Sequence, residues 1–136
     1  AKDGSCVAAI HAGWRGLAAG VIEETVKAMP VPAQDLVAAI GPCISAEHYE
    51  VGPEIIESLA RKGDLPMLTS SSGQLRQPER LDLFMLAAHF LNSRGVTVEK
   101  LSSLCVYESS KFCFSFRRDG MTGRIAAYLM VGSSAN

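Results

Sequence analysis

The chain has 136 residues, of which 48% are apolar, 20% charged and 7% aromatic, and these proportions exclude disordered, collagen-like and membrane-spanning proteins. Thirteen basic and fourteen acidic side chains give a net charge of −1, so there is no basic stripe to favour binding of a nucleic acid polymer. The apolar runs are also far shorter than the roughly 20 residues of a membrane span. We therefore expect a single cytoplasmic domain over residues 1–136, with neither a nucleic acid nor a membrane partner.

The four cysteines support the same compartment. They are spaced too widely for a small disulfide scaffold, and none forms a Cys-x-x-Cys pair. Reduced thiols are therefore expected. The four are Cys6, Cys43, Cys105 and Cys113.

Short apolar runs alternate with amphipathic stretches in the first half of the chain. Residues 5–10 predict a buried strand, and its abrupt start suggests a partner strand supplied by chain upstream. Apolar residues at helical spacing over 17–29 predict one helix, which Pro30 ends. Residues 35–40 predict a second strand, which runs into a glycine- and proline-containing loop at 41–45.

The second half continues the alternation. Pro53 predicts the start of a helix, for which Gly63 is the expected stop. A further helix is predicted over 81–94, with Gly95 as its left-handed cap. The remaining predictions are a surface loop at 64–79, a strand at 101–107, an extended or irregular piece at 112–116 and a terminal strand at 125–131. Strands that alternate with helices predict a layered α/β fold.

The segment from His11 to Gly16, with Gly13 and Arg15 inside it, lies between a predicted strand and a predicted helix. Such a segment places a side chain at the carboxyl end of a strand and directs backbone N–H groups at an anion. It matches neither a P-loop nor a dinucleotide-binding fingerprint. A phosphate site is one interpretation. A tight turn, with Trp14 as core filler and His11 capping a carbonyl, is the other.

Two later segments carry further candidate residues. Cys43 and His48 are close enough in sequence to face one metal ion, but two ligands do not complete a zinc site. A loop thiol beside a surface imidazole is the alternative. Arg117, Arg118 and Arg124 lie within eight residues, and guanidinium groups suit phosphate or carboxylate. A solvated loop with a surface ion pair is the alternative for these arginines.

Three segments in this order, AAIHAGWRGLAAGVI, AAIGPCISAEHYEVGPE and LCVYESSKFCFSFRRDGMTGRIA, closely resemble the YfiH-like family. Its members are variously described as laccase-like multicopper polyphenol oxidases, peptidoglycan editing factors and zinc-dependent purine nucleoside phosphorylases. The resemblance implies a layered α/β fold of cysteine-hydrolase type, with a mixed β-sheet and flanking helices. It also implies that the chain is the C-terminal part of a longer domain.

The resemblance further implies a metal site made of two histidines and one cysteine. His11 maps onto the histidine of the HAGWRG motif. The cysteine and the second histidine belong to elements that would lie upstream of residue 1, and Cys43 is not that cysteine. Zinc is the implied cofactor, with copper as the alternative.

For the intact protein, the resemblance implies phosphorolysis of adenosine, inosine and methylthioadenosine, together with deamination of adenosine. The expected partners are a purine nucleoside, phosphate and the missing N-terminal part of the domain. Trp14 or Tyr49 is a candidate to stack on the purine. The implied catalytic residues are His11 and Arg15, and the implied substrate or phosphate contacts are Gly13, Arg15, Cys43, Arg117 and Arg118.

Two other functions stay open from the sequence. One is a copper-dependent polyphenol oxidase, although laccase chemistry needs several coppers and more than the three histidines of this chain. The other is a non-catalytic fragment that acts only with the missing N-terminal part.

Overall fold

The computed structural model describes residues 1–61, 79–100 and 104–132. Its helices and strands follow an α/β order, with two short 3₁₀ turns at Ala33–Asp35 and Ala46–His48. The helices are α1 (Trp14–Ala19), α2 (Val21–Ala28), α3 (Pro53–Ala60), α4 (Leu83–Ser93) and α5 (Phe116–Asp119), and the strands are β1 (Val37–Ile40), β2 (Glu50–Val51), β3 (Glu79–Arg80) and β4 (Thr97–Lys100).

The strands form two small sheets in the described part of the chain. β1 and β4 pair in parallel, with Val37 opposite Thr97, and β2 and β3 pair antiparallel. Beyond the end of β1, an isolated parallel bridge joins Cys43 to Cys105. The α/β class is therefore confirmed, but the described strands form one parallel and one antiparallel sheet instead of a single mixed sheet.

Apolar faces of the helices pack around a common core, in which Leu17, Leu59 and Leu86 have no exposed surface. The helix predicted over 81–94 is confirmed as α4. It begins where the Asp82 carboxylate accepts a hydrogen bond from the backbone N–H of Met85 at 2.9 Å, which satisfies an otherwise unpaired N–H group. Gly95, at φ 81°, follows the helix in the predicted left-handed conformation.

The helix predicted over 17–29 is divided into α1 and α2 at Gly20. Gly20 has φ 87°, and its N–H donates to the carbonyl oxygens of Gly16 and Leu17. A residue at positive φ cannot continue a right-handed helix, so the chain changes direction there. Periodicity alone misses this break, because the apolar residues on both sides face the same core.

Replacing Gly20 with alanine is expected to destabilise the protein by about 1 kcal/mol, because a β-carbon is strained at positive φ. The free energy of unfolding, from denaturant titration, measures this cost. Gly41→Ala is the matched control, since a β-carbon there meets no atom within 4 Å. Equal stability of the two variants would contradict the assignment of strain to Gly20.

Two predicted strands, at 5–10 and 125–131, are wrong. Both segments are irregular, and most of their side chains are exposed. In the second segment Tyr128 is 86% exposed and Met130 is 81% exposed. A strand needs neighbouring backbone N–H and C=O groups, and neither segment pairs with a strand among the described residues. The apolar pattern is present, but these residues supply no neighbouring strand to cover it.

Other boundaries differ from prediction. The predicted strand at 101–107 lies partly outside the described residues. The observed strand, β4, begins earlier in the chain. In the described part of 101–107, the strand pairing is limited to the isolated bridge at Cys105. The piece at 112–116 is irregular as predicted and leads into α5. Gly63 and all of the loop at 64–79 except Glu79 lie outside the described residues. In the described part, no helix is long and apolar enough to cross a bilayer.

Candidate functional site

His11 lies immediately before α1, with its side chain exposed. Two glycines allow the following turn to close around it. A β-carbon at Gly13 would lie 3.1 Å from His11 Nε2, and one at Gly16 would lie 3.2 Å from the His11 carbonyl oxygen. Glycine therefore occupies the two positions, 13 and 16, at which a side chain would crowd His11. The helix predicted after His11 is present, whereas the strand predicted before it is not.

Arg15 projects from the first turn of α1 and is exposed. Its guanidinium carbon lies 4.6 Å from the centroid of the Trp14 ring, a cation–π arrangement that leaves the N–H groups at its edge accessible. Among the residues that the structure describes, no acceptor takes a hydrogen bond from this guanidinium. Arg15 therefore holds a positive charge and unused donors in a fixed position.

Arg117 projects from α5 and contacts Tyr49. Its guanidinium carbon lies 4.7 Å from the centroid of the Tyr49 ring, and Nη1 donates to the Glu50 carbonyl oxygen at 2.6 Å. Tyr49 is only 8% exposed. Burial raises the pKa of its hydroxyl, and the positive charges of Arg117 and Arg15 partly offset that rise. The hydroxyl is therefore protonated at neutral pH, and two guanidinium groups from distant parts of the chain act on it.

Arg118 has a different environment from its neighbour. All five of its N–H groups have acceptors: Nη1 donates to the carbonyl oxygens of Val106 and Tyr107, Nη2 to that of Cys113, and Nε and Nη2 to the Asp119 carboxylate. A guanidinium with every donor satisfied within the chain holds backbone segments together. The structure therefore places Arg117 against Tyr49, leaves Arg15 near enough for its charge to offset part of the burial-induced rise in the pKa of that hydroxyl, and gives Arg118 a supporting position.

The Arg118 pair makes stability depend on pH in a defined direction. Hydrogen bonds from Arg118, together with its charge, hold the pKa of Asp119 below its usual value. A carboxyl group with a lowered folded-state pKa adds stability above its unfolded-state pKa of about 4 and loses that stability as the pH falls through the folded value.

Asp119→Asn is therefore expected to lower the denaturation midpoint at pH 7, and the gap from the unsubstituted protein should shrink at pH 3. Urea titration at both pH values measures this. Asp35→Asn is the control, because Asp35 is exposed and has no ion pair among the described residues. An equal difference between the two denaturation midpoints at both pH values would show that protonation of Asp119 does not change the stability.

A second polar group forms around His48. Its Nε2 lies 2.8 Å from Glu108 Oε1, and its ring stacks on Tyr107 with centroids 4.4 Å apart. The ligand atoms of Glu47, His48 and Glu108 lie within 4.8 Å of one another. The sequence paired His48 with Cys43 as a possible metal site and missed Glu108. Glu108 is 60 residues away, and no local pattern marks it.

The implied zinc set is not met by the described residues. Those residues hold one group of three candidate ligands, around His48, and His11 does not belong to it. A catalytic zinc site needs three protein ligands, and His11 supplies at most one of them. Cys43 accepts a backbone hydrogen bond from Val106 at 3.0 Å, which places it in the bridge opposite Cys105.

Comparison with known proteins identifies the family to which the chain belongs. The family model described as "Multi-copper polyphenol oxidoreductase laccase" matches residues 1–132. The chain is 35% identical over 128 residues to a Haemophilus influenzae protein named "Purine nucleoside phosphorylase", and 35% identical over 130 residues to the Escherichia coli "Purine nucleoside phosphorylase YfiH". These matches cover 93% and 94% of this chain but 52% of each relative. The chain thus spans about half the length of the curated relatives it matches.

Solved structures agree with the sequence matches. Neisseria meningitidis protein NMB0706 superimposes with a TM-score of 0.73 at 36% identity, covering 83% of this chain and 46% of that one. The Bacillus licheniformis hypothetical protein YfiH gives a TM-score of 0.71 at 28% identity, covering 81% of this chain and 43% of that one. The resemblance drawn from the three motifs is therefore confirmed.

Proposed function

The chain belongs to the multi-copper polyphenol oxidoreductase laccase family, and from this membership we propose that the native protein that carries these 136 residues phosphorolyses purine nucleosides. Its curated relatives bear the name purine nucleoside phosphorylase. The observation that carries the proposal is the contact of Arg117 with Tyr49, whose burial-raised hydroxyl pKa is also lowered in part by the charge of Arg15. Two guanidinium groups with accessible donors suit the phosphate that such a reaction consumes.

In phosphorolysis, an oxygen of hydrogen phosphate bonds to the ribose carbon as the bond from that carbon to the purine nitrogen breaks, and the departing purine keeps the electron pair and gains the proton that phosphate loses. The products are a free base and ribose 1-phosphate. The phosphate anion must be held beside the ribose, and guanidinium groups lower the free-energy cost of placing it there. We assign this role to Arg15 and Arg117, with the protonated Tyr49 hydroxyl as a further donor.

The aromatic rings considered for base stacking have guanidinium partners instead. Arg15 covers one face of Trp14, and Arg117 covers one face of Tyr49. We therefore assign this region to phosphate and place the purine elsewhere in the native site. Gly13 acts indirectly in this scheme, by leaving room for His11, and Arg118 acts by holding the segment that carries Arg117. A direct substrate contact by Cys43 stays a prediction.

The resemblance favours adenosine, inosine and methylthioadenosine as substrates, adenosine deamination as a second activity, and zinc as cofactor, with His11 as a catalytic residue and one of the zinc ligands. We propose that polypeptide beyond these 136 residues completes the site, because the relatives are about twice as long and the segment 125–131 leaves apolar side chains exposed. None of the four cysteines forms a disulfide, which is compatible with the reducing cytoplasm, where we place the reaction.

The test is an assay of the native protein with inosine, with and without inorganic phosphate. We expect hypoxanthine and ribose 1-phosphate to form in equal amounts, and only when phosphate is present. Chromatography of the base and an enzymatic assay of the sugar phosphate measure both products. Release of base without phosphate would indicate hydrolysis instead, and absence of both products would overturn the proposal.

The family description names a multi-copper polyphenol oxidoreductase, so oxidation of phenols is the second candidate function. Oxygen consumption with a phenolic substrate, measured with and without added copper, separates this function from phosphorolysis. A copper-dependent rate that persists in an Arg15→Ala variant would favour the oxidase, because the proposed phosphate site has no part in that reaction.

A further inference from the structure

We propose that Cys43 and Cys105 are a thiol pair that a low-molecular-weight disulfide oxidises to a Cys43–Cys105 disulfide, making this bridge a modification site. The pair is 62 residues apart in sequence and is joined by an isolated parallel bridge. The bridge is supported by the hydrogen bond from the Val106 N–H to the Cys43 carbonyl oxygen, at 3.0 Å.

The backbone geometry suits such a bond. Neighbouring strands lie about 4.7–4.9 Å apart, which falls within the range of about 4.4–6.8 Å between the Cα atoms of disulfide-bonded cysteines. Residues paired across a bridge also direct their side chains to the same face of the sheet. Neither cysteine forms a disulfide in the structure.

The surroundings of the two sulfur atoms divide the roles between them. Cys105 is 7% exposed, and its Sγ accepts hydrogen bonds from the Ser45 N–H at 3.3 Å and from the Ser45 hydroxyl at 3.2 Å. Burial raises the pKa of this thiol, but the hydrogen bonds outweigh burial and leave it below the usual value. Cys43 is half-buried. The more accessible Cys43 therefore meets the oxidant, and Cys105 supplies the stabilised thiolate.

The reaction balances with oxidised glutathione as the oxidant. The Cys43 thiolate attacks one glutathione sulfur, so a mixed disulfide forms and one glutathione thiolate leaves. The Cys105 thiolate then attacks the Cys43 sulfur, which forms the Cys43–Cys105 bond and releases the second glutathione thiolate. The two protons lost by the cysteines are taken up by the two released thiolates. The protein is oxidised by two electrons, and glutathione is reduced by two.

The other two cysteines serve as internal controls. Cys6 lies in the exposed N-terminal segment, where its sulfur is 3.9 Å from the Ser5 hydroxyl. Cys113 is buried, and its carbonyl oxygen accepts a hydrogen bond from Arg118. In the described part of the chain, neither is bridged to another cysteine. Geometry therefore selects one of the possible pairs.

The experiment treats the folded native protein with oxidised glutathione, blocks the remaining thiols by alkylation, and maps the peptides by mass spectrometry without reduction. We expect a Cys43–Cys105 linked peptide, lighter than its two parts by two hydrogen atoms and at least ~10-fold more abundant than any other linkage. Cys6→Ser should leave this yield unchanged, whereas Cys43→Ser should abolish it.

Three results would overturn the proposal. These are alkylation of both thiols after oxidation, a glutathione adduct on Cys43 that does not close, or a linked peptide that forms only after denaturation. The unsubstituted protein decides the question by itself, so a variant that fails to fold does not remove the test.

Discussion

Replacing Arg15 with alanine is expected to raise the KM for phosphate of the native protein by about 10- to 100-fold, which corresponds to the loss of one charge-assisted contact worth about 1.5–3 kcal/mol. Arg15 is exposed and has no acceptor among the described residues, so its removal costs the fold little. Arg117→Ala should act in the same direction. Initial rates of inosine phosphorolysis over a range of phosphate concentrations measure both effects.

The two arginines act on one anion, so their effects should not be additive. Arg117→Lys should recover part of the loss, because a lysine keeps the charge but not the forked donor geometry. Arg94→Ala is the matched control, since Arg94 lies at the end of α4 and faces Glu23 at 3.8 Å. An unchanged KM in both Arg15→Ala and Arg117→Ala would remove these residues from phosphate binding.

Leu86→Ala is expected to cost about 2–5 kcal/mol of unfolding free energy, the range for truncating a buried leucine. Leu86 lies on α4, is 0% exposed and belongs to the central core. Its removal leaves a cavity in the core to which α2, α4, β1 and β4 contribute. Denaturant titration measures the loss.

Its neighbour Met85 provides the control. Met85 lies on the same helix but is 51% exposed, so Met85→Ala should change stability by no more than about 0.5 kcal/mol. Similar losses in the two variants would show that α4 does not present the face we describe to the core.

The helix α4 was predictable because its signals are local. The spacing of apolar residues, the Asp82 carboxylate at the start of α4 and Gly95 after its end all lie within a few residues of the helix. The segments at 5–10 and 125–131 were not predictable in this way. Their apolar pattern describes a strand, but a strand forms only where another one pairs with it.

The candidate site was predictable in its residues and not in its contacts. The motif containing Arg15 and the arginine-rich segment containing Arg117 both attract attention in the sequence, as does Tyr49. The contact of Arg117 with Tyr49 depends on how α5 packs beside the start of β2, which spacing along the chain does not determine. The same holds for Arg118, which has the same residue type as its neighbour but has every donor satisfied by nearby carbonyl and carboxylate oxygens.

Direct titration of the native protein with inorganic phosphate tests whether the guanidinium groups of Arg15 and Arg117 form an anion site beside Tyr49. Isothermal calorimetry should show saturable binding to the unsubstituted protein and at least about tenfold weaker binding to the Arg15→Ala/Arg117→Ala double variant. Equal phosphate affinity in the two proteins, with the double variant folded by circular dichroism, would contradict the account.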